Sequence, residues 1–360
     1  VGEINRRSFL AASAAALTLA DHASAAELPA LGPLAKAAGL DFGAAVGPWL
    51  WREADFRAAV LRDCTAIVPE YEWKWDYLAR AGRRPDLQPI QRYLAFAEAS
   101  GLALRGHTLV WHGAMPPWYP AAAGRREALR LMTGHVTDVV ASARGRVRRW
   151  DVVNEAVAPE DGEPDGLRRT PLLAQIGRDY VEIAFRAAAE ADPAARLIYN
   201  DYGLDAPYGA ARREAVLRLV EQLVARGTPI HGVGVQSHLA AADGYDGEAL
   251  AVFAARLQEM GLEFLVTELD VAHPGPGPGP GPGGAPDHEV AAVYAHYLAG
   301  VVEIPNLTGI FTWGLSDRHS WITASQRPLP YDGAMRPKPA WDAIAGALRR
   351  RATETHRLTA

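Results

Sequence analysis

Eight short apolar or β-branched runs recur along this chain, each followed by a longer stretch with helical periodicity, and that alternation constrains the fold more than any other feature. The runs span residues 41–46, 66–70, 102–110, 149–155, 196–201, 232–237, 264–271 and 308–315. Helical stretches cover 53–62, 87–100, 125–143, 172–190, 208–226, 248–260 and 288–302, and a last one, 339–350, closes the series. Strand–helix alternation demands a parallel sheet with right-handed crossovers, and eight repeats predict closure into an α/β fold of the (β/α)8 TIM-barrel type. Such a barrel takes about 250 residues plus insertions, so the expectation is a single barrel domain over 27–350 followed by a polar C-terminal tail, 351–360.

The polar residues in these runs fall at their C-terminal ends. Glu70 ends the second; His107, Trp111 and His112 the third; Asn154 and Glu155 the fourth; Asn200 and Asp201 the fifth; Gln236 and His238 the sixth; Glu268 and Asp270 the seventh; Trp313 the eighth. Barrel enzymes gather their chemistry at that rim. An open doubly wound sheet is the structural alternative, but it would concentrate chemistry at one switch point, and no glycine-rich dinucleotide turn follows the first run.

Composition removes other classes. Lys and Arg number 37 against 42 Asp and Glu, a formal net charge of -5, which gives no basic surface for nucleic acid. Cys64 is the one cysteine, so no intramolecular disulfide and no cysteine-based metal site is expected. Asn5-Arg6-Arg7-Ser8-Phe9-Leu10, the alanine-rich run 11–20 and Ala23-Ser24-Ala25-Ala26 read as a twin-arginine-type signal peptide over 1–26, too short and alanine-rich to span a bilayer permanently. A periplasmic or secreted monomer, free of the membrane once the signal is removed, is the expectation. The run 274–284, PGPGPGPGPGG, can form neither helix nor strand and reads as a tolerated loop on the rim.

Glu155 and Glu268 end the fourth and seventh runs, which face each other across an eight-stranded mouth. Two carboxyl groups in one cleft are what glycosidic bond cleavage requires: one protonated to donate to the leaving oxygen, one ionised to attack or to activate water. Position alone leaves structural ion pairs and metal ligation equally open.

The local sequences narrow this. Trp150-Asp151-Val152-Val153-Asn154-Glu155 and Val266-Thr267-Glu268-Leu269-Asp270 strongly resemble the acid/base and nucleophile motifs of glycoside hydrolase family 10, the retaining endo-β-1,4-xylanases. The resemblance runs the length of the barrel through Gly106-His107-Thr108-Leu109-Val110-Trp111-His112, Tyr199-Asn200-Asp201-Tyr202, Gly232-Val233-Gly234-Val235-Gln236-Ser237-His238, and Phe311-Thr312-Trp313-Gly314 with Ser320-Trp321. It implies Glu155 as general acid/base, Glu268 as nucleophile, and xylan or xylo-oligosaccharides as substrate. It implies supporting roles for Asn154, His238 and Asp270, and sugar contacts from Glu70, Lys74, His107, Trp111, Tyr202, Gln236, Trp313 and Trp321. Strict strand alternation would send Asn154 and Glu155 to opposite faces, so both reach the site only if the strand end twists or bulges. Trp73, Trp75, Trp150 and Trp341 read as core. No cofactor, metal or protein partner is required.

Two positions depart from the family pattern. Tyr71 stands where the family has Asn in Glu-Asn-x-x-Lys, and Ala114 where it has Gln in Trp-His-x-Gln. Both missing amides normally hydrogen-bond the sugar one step beyond the cleaved residue, so an altered glycone-side subsite is implied. The catalytic pair alone does not choose the sugar, and a related glycosidase on another β-1,4-glycan stays open. So does a catalytically lapsed polysaccharide-binding barrel. A metal-dependent hydrolase on His107, His112 and His238 would want a His pair on the first run, where Asp41-Phe42-Gly43 offers none.

Overall fold

The runs do form strands, and the strands close. The computed structural model describes residues 30–120, 124–273, 275 and 284–359, and Leu31–Ala360 form one compact unit. Its strands are β1 (Asp41–Val46), β2 (Ala66–Pro69), β3 (Ala103–Gly106), β4 (Val110–Trp111), β5 (Arg149–Asn154), β6 (Arg196–Asp201), β7 (Gly232–Val235), β8 (His238–Ala240), β9 (Glu263–Ala272) and β10 (Leu307–Thr312). Eight pair in the cyclic order β10-β1-β2-β3-β5-β6-β7-β9, and β9 returns to β10, all parallel. This is a closed (β/α)8 barrel. The short strands β4 and β8 extend the rim beside β5 and β9. The signal segment 1–26 and most of the proline–glycine run lie outside the described residues.

Two of the expected runs are interrupted at the rim. The third breaks over 107–109, where Thr108 Oγ1 and Leu109 N both donate to the Asp151 carbonyl at 2.9 and 3.0 Å in place of ladder bonds. The sixth breaks at Gln236 and Ser237, the latter with φ +64°, before β8 resumes. Among the helices, the expected 172–190 is split at Gly177, where φ is +101°, into Pro171–Ile176 and Tyr180–Ala191. The last expected helix, 339–350, is longer than its pattern implies: it runs Pro339–Thr359 and takes in the polar residues after Arg350. Beyond Arg350 it meets no Gly or Pro, and Arg351 Nη1 ties it down by donating to Val302 O at 2.7 Å.

Between strands and helices lies one continuous apolar layer holding the fully buried Trp73, Trp75, Trp150 and Trp341. Cys64 caps the helix Ala54–Asp63 within it, buried, with its thiol pushed far up by that burial. The barrel interior is thinner: Ala45, Ala66, Val68, Ile198, Leu265, Phe311 and Trp313. Among them sits a buried ion pair, Arg105 Nη2 to Asp151 Oδ2 at 2.7 Å, with the guanidinium 5.0 Å over the Phe311 ring. At the N-terminal ends of the strands Arg149 bonds to both Asp41 and Glu263, and Arg196 Nε reaches Glu263 Oε1 at 2.7 Å.

Candidate active site

Both strands that carry the expected carboxylates are out of regular register at the rim. β5 spends Asp151 to Val153 against one step of β6, from Ile198 to Tyr199. The extra residue turns Val152 and Val153 together into the helix-facing layer and returns Asn154 to the inside. Glu155 then adopts φ +56°, which swings the next side chain to the same side. This is the bulge that the Asn154–Glu155 pair required. β9 does likewise between Val266 and Leu269 against Ile310 and Thr312.

The result is a cleft of about 570 Å³ at the C-terminal mouth. Glu70, Lys74, His107, Trp111, Asn154, Glu155, Tyr202, Gln236, His238, Glu268, Trp313 and Trp321 all line it. Asp270 stands behind His238. The expected set is therefore brought together. His112 is not part of it and lies in a small recess behind Glu155. His107, His112 and His238 do not converge, and no three His, Cys, Asp or Glu side chains among the described residues group to hold a metal.

Glu155 is half-buried and held by three donors. Trp111 Nε1 reaches Oε2 at 3.0 Å; Gln236 Nε2 and Asn154 Nδ2 reach Oε1 at 3.0 and 3.2 Å. Glu268 is buried. Burial alone would push its carboxyl up, but His107, His238 and Arg105 surround it with positive charge and hydrogen bonds and hold it down at about 2. His238 Nε2 lies 3.4 Å from Glu268 Oε2, and its Nδ1 lies 2.9 Å from Asp270 Oδ1. Burial disfavours the imidazolium, yet Asp270 and Glu268 raise it to about 10. At neutral pH a buried carboxylate therefore faces an imidazolium, an arrangement that keeps the oxygen ionised and aimed.

Asn200 connects the two carboxylates. Its Nδ2 donates to Glu268 Oε1 at 2.7 Å and to Asn154 Oδ1 at 2.9 Å, and Asn154 in turn donates to Glu155. In the sequence Asn200 was only a strand-end amide; its register partner in β6–β5 pairing is Asn154, which is the signal that places it between the acids. Arg105 and Asp151 were also missed. They stand inside the barrel beneath the cleft, where Asp151 Oδ2 contacts His107 Nδ1 at 2.8 Å and Arg105 Nη1 donates to Thr267 O at 2.9 Å. Burial opposes the Asp151 charge, and Arg105 and His107 outweigh it, leaving the carboxyl below its ordinary value. Two charged residues within otherwise apolar runs were the available clue.

On the side of Glu70, aromatic faces surround a cation. Lys74 Nζ lies 4.6 Å from the Trp111 ring, 5.1 Å from Tyr71 and 5.8 Å from Trp313. Burial lowers the Lys74 ammonium and raises Glu70 to about 7. Glu70 Oε2 is buried without a partner, an acceptor free for a ligand hydroxyl. Tyr71 lines the cleft but gives its hydroxyl to Asp76. Ala114 is buried in the turn after β4 and is absent from the cleft wall.

A model of glycosyl hydrolase family 10 matches residues 30–347. An endo-1,4-beta-xylanase 3 of Hypocrea jecorina is 34% identical over 310 residues, 86% of this chain and 82% of its own length. An endo-1,4-beta-xylanase B of Thermotoga neapolitana is 31% identical across 86% of this chain and 89% of its own. The crystal structure of native xylanase 10B from Thermotoga maritima superposes with a TM-score of 0.81 at 30% identity, covering 90% of this chain and 99% of that one. The rim geometry and these likenesses meet in one conclusion: this chain belongs to glycosyl hydrolase family 10.

Proposed function

We propose that this protein is a retaining endo-β-1,4-xylanase that cuts internal bonds of xylan, with Glu268 as nucleophile and Glu155 as acid/base. Glu155 donates a proton to the leaving glycosidic oxygen while a Glu268 oxygen attacks the anomeric carbon, giving a glycosyl-enzyme. Glu155 then takes a proton from the water that attacks the same carbon and displaces Glu268, so configuration is retained. Asn200, bonded to Glu268 and Asn154, and Asn154 itself supply amides beside the reacting sugar. The observation that carries the reading is Glu268: a buried carboxylate kept ionised by His107 and His238, joined through Asn200 and Asn154 to a second carboxyl in the same cleft. Relatives named as endo-1,4-beta-xylanases support the choice of xylan.

Reducing-sugar release from xylan by the purified protein, beside a folded Glu268→Ala variant, tests this. Release by the first and none by the second is expected; no release by the intact protein would move the reading to another glycan or to a binding barrel.

Tyr71 and Ala114 are proposed to weaken selection for the sugar beyond the cleaved one, since neither offers the amide that would hold it, and a lost hydrogen bond costs about 0.5 to 1.5 kcal/mol. Tyr71→Asn with Ala114→Gln should change the product pattern from xylo-oligosaccharides. Export through the twin-arginine segment 1–26 is proposed from Arg6-Arg7 and the small residues 23–26; replacing both arginines by lysine should leave the activity in the cytoplasm.

A further inference from the structure

With its φ of +56° Glu155 leaves the β5 ladder in a left-handed conformation that L-residues disfavour, so its side-chain direction depends on what clamps its backbone. Two bonds do so. Glu155 N donates to Asn200 O at 2.8 Å, and Arg168 Nε donates to Glu155 O at 2.8 Å. Arg168 arrives there because the chain doubles back after Glu155: Val157 and Leu167 form an antiparallel bridge, and Arg168 N donates to Ala156 O at 2.7 Å. The same guanidinium gives Nη2 to Val157 O at 3.2 Å and to Tyr202 Oη at 3.0 Å. Arg212 packs 4.2 Å over the Tyr202 ring and gives its Nη2 to Glu160 Oε1 at 2.7 Å, closing the cluster. The hydrogen bonds of the Arg168 guanidinium go to neutral oxygens on the outgoing arm of the turn and on the cleft wall. A flat fork of donors serves this purpose, and a lysine point charge does not.

We propose that Arg168 is a positioning residue for the acid/base, locking the left-handed Glu155 backbone so that its carboxyl faces the leaving oxygen. The proposal rests on Glu155 having that role. A misplaced acid harms substrates whose leaving group needs a proton and spares those whose leaving group departs without one. A misplaced base slows breakdown of the glycosyl-enzyme, which azide relieves, because the anion attacks the anomeric carbon and displaces Glu268 with no proton to remove.

The test compares the intact protein with Arg168→Ala on xylotriose and on 2,4-dinitrophenyl β-xylobioside. For the variant, kcat/KM on xylotriose should fall about 10-fold or more, a modest part of the usual contribution of general acid catalysis. On the dinitrophenyl substrate kcat/KM should stay within about 3-fold, its kcat should fall, and azide should restore that kcat. Equal losses in kcat/KM on both substrates would mark Arg168 as a fold staple and overturn the proposal, as would no loss on either. If Arg168→Ala melts before assay, Arg168→Lys decides by the same comparison. Inactivity of the intact protein on both substrates would instead overturn the enzymatic reading of Glu155, and this proposal with it.

Discussion

Asp270 holds His238 and Trp321 at once, one on each carboxylate oxygen. Oδ1 lies 2.9 Å from His238 Nδ1, and Oδ2 accepts from Trp321 Nε1 at 2.7 Å. The imidazole that faces Glu268 and the indole that walls the cleft thus share one buried anchor, so their positions are coupled.

Asp270→Asn should move the acid limb of kcat/KM. With Asp270 charged, burial is overcome and His238 is raised to about 10, and the imidazolium helps hold Glu268 at about 2. In the intact protein Glu268 therefore stays ionised until the pH falls near 2. Removing the charge lets His238 drop and Glu268 climb, and the acid limb should shift upward by about one pH unit. A pH–rate profile of the two proteins checks this, and coincident acid limbs would count against it.

The same groups set a stability window. The raised His238 contributes stability fully present below its ordinary 6.5 and lost as pH rises through about 10. The lowered Glu268 contributes stability present above its ordinary 4.5 and lost as pH falls through about 2. The gap in melting temperature between the intact protein and Asp270→Asn should be widest between those two ordinary values and narrow toward alkaline pH, measured by thermal denaturation.

Trp321 is 59% exposed yet hydrogen-bonded, so its ring and its N–H separate cleanly. Trp321→Phe should raise KM for xylo-oligosaccharides about 3-fold through the lost bond, and Trp321→Ala about 10-fold through the lost wall as well. Steady-state kinetics with kcat little changed is the expected outcome.

Glu70 titrates inside the cleft. Burial raises it to about 7, with Lys74 opposing, and its unpaired oxygen accepts a hydroxyl best when ionised. KM for xylotriose should fall as pH rises through about 7, and Glu70→Gln should abolish the step.

Gly106 gives a test of packing. A Cβ there would sit 2.1 Å from the Trp150 ring, inside the layer between β3 and the helices. Gly106→Ala should cost about 1 to 3 kcal/mol, lowering the melting temperature by about 2 to 10 °C.

The barrel was legible because parallel strands buried on both faces leave continuous apolar runs, and the rim was legible because Glu155, Glu268 and His238 interrupt those runs at their ends. The bulges were legible only as a contradiction, the adjacent Asn154 and Glu155 both needing the inside, since one inserted residue leaves no compositional mark. Arg105 and Asp151 escaped because interior charges in a thin barrel core violate the pattern by which interiors are recognised, and satisfy it only in three dimensions, through each other. Arg168 escaped for a different reason: two of its three hydrogen-bond acceptors are main-chain oxygens, which every sequence possesses.

The charged floor of the barrel works as a brace between strands that are not neighbours. A β-ladder ties each strand only to its neighbours, whereas Arg149 on β5 reaches Asp41 on β1 and Glu263 on β9. Because the hydration cost of such networks shrinks as temperature climbs, this end of the molecule is where heat tolerance can be adjusted, by adding or trimming arginines and acids, while the opposite end keeps its catalytic geometry untouched.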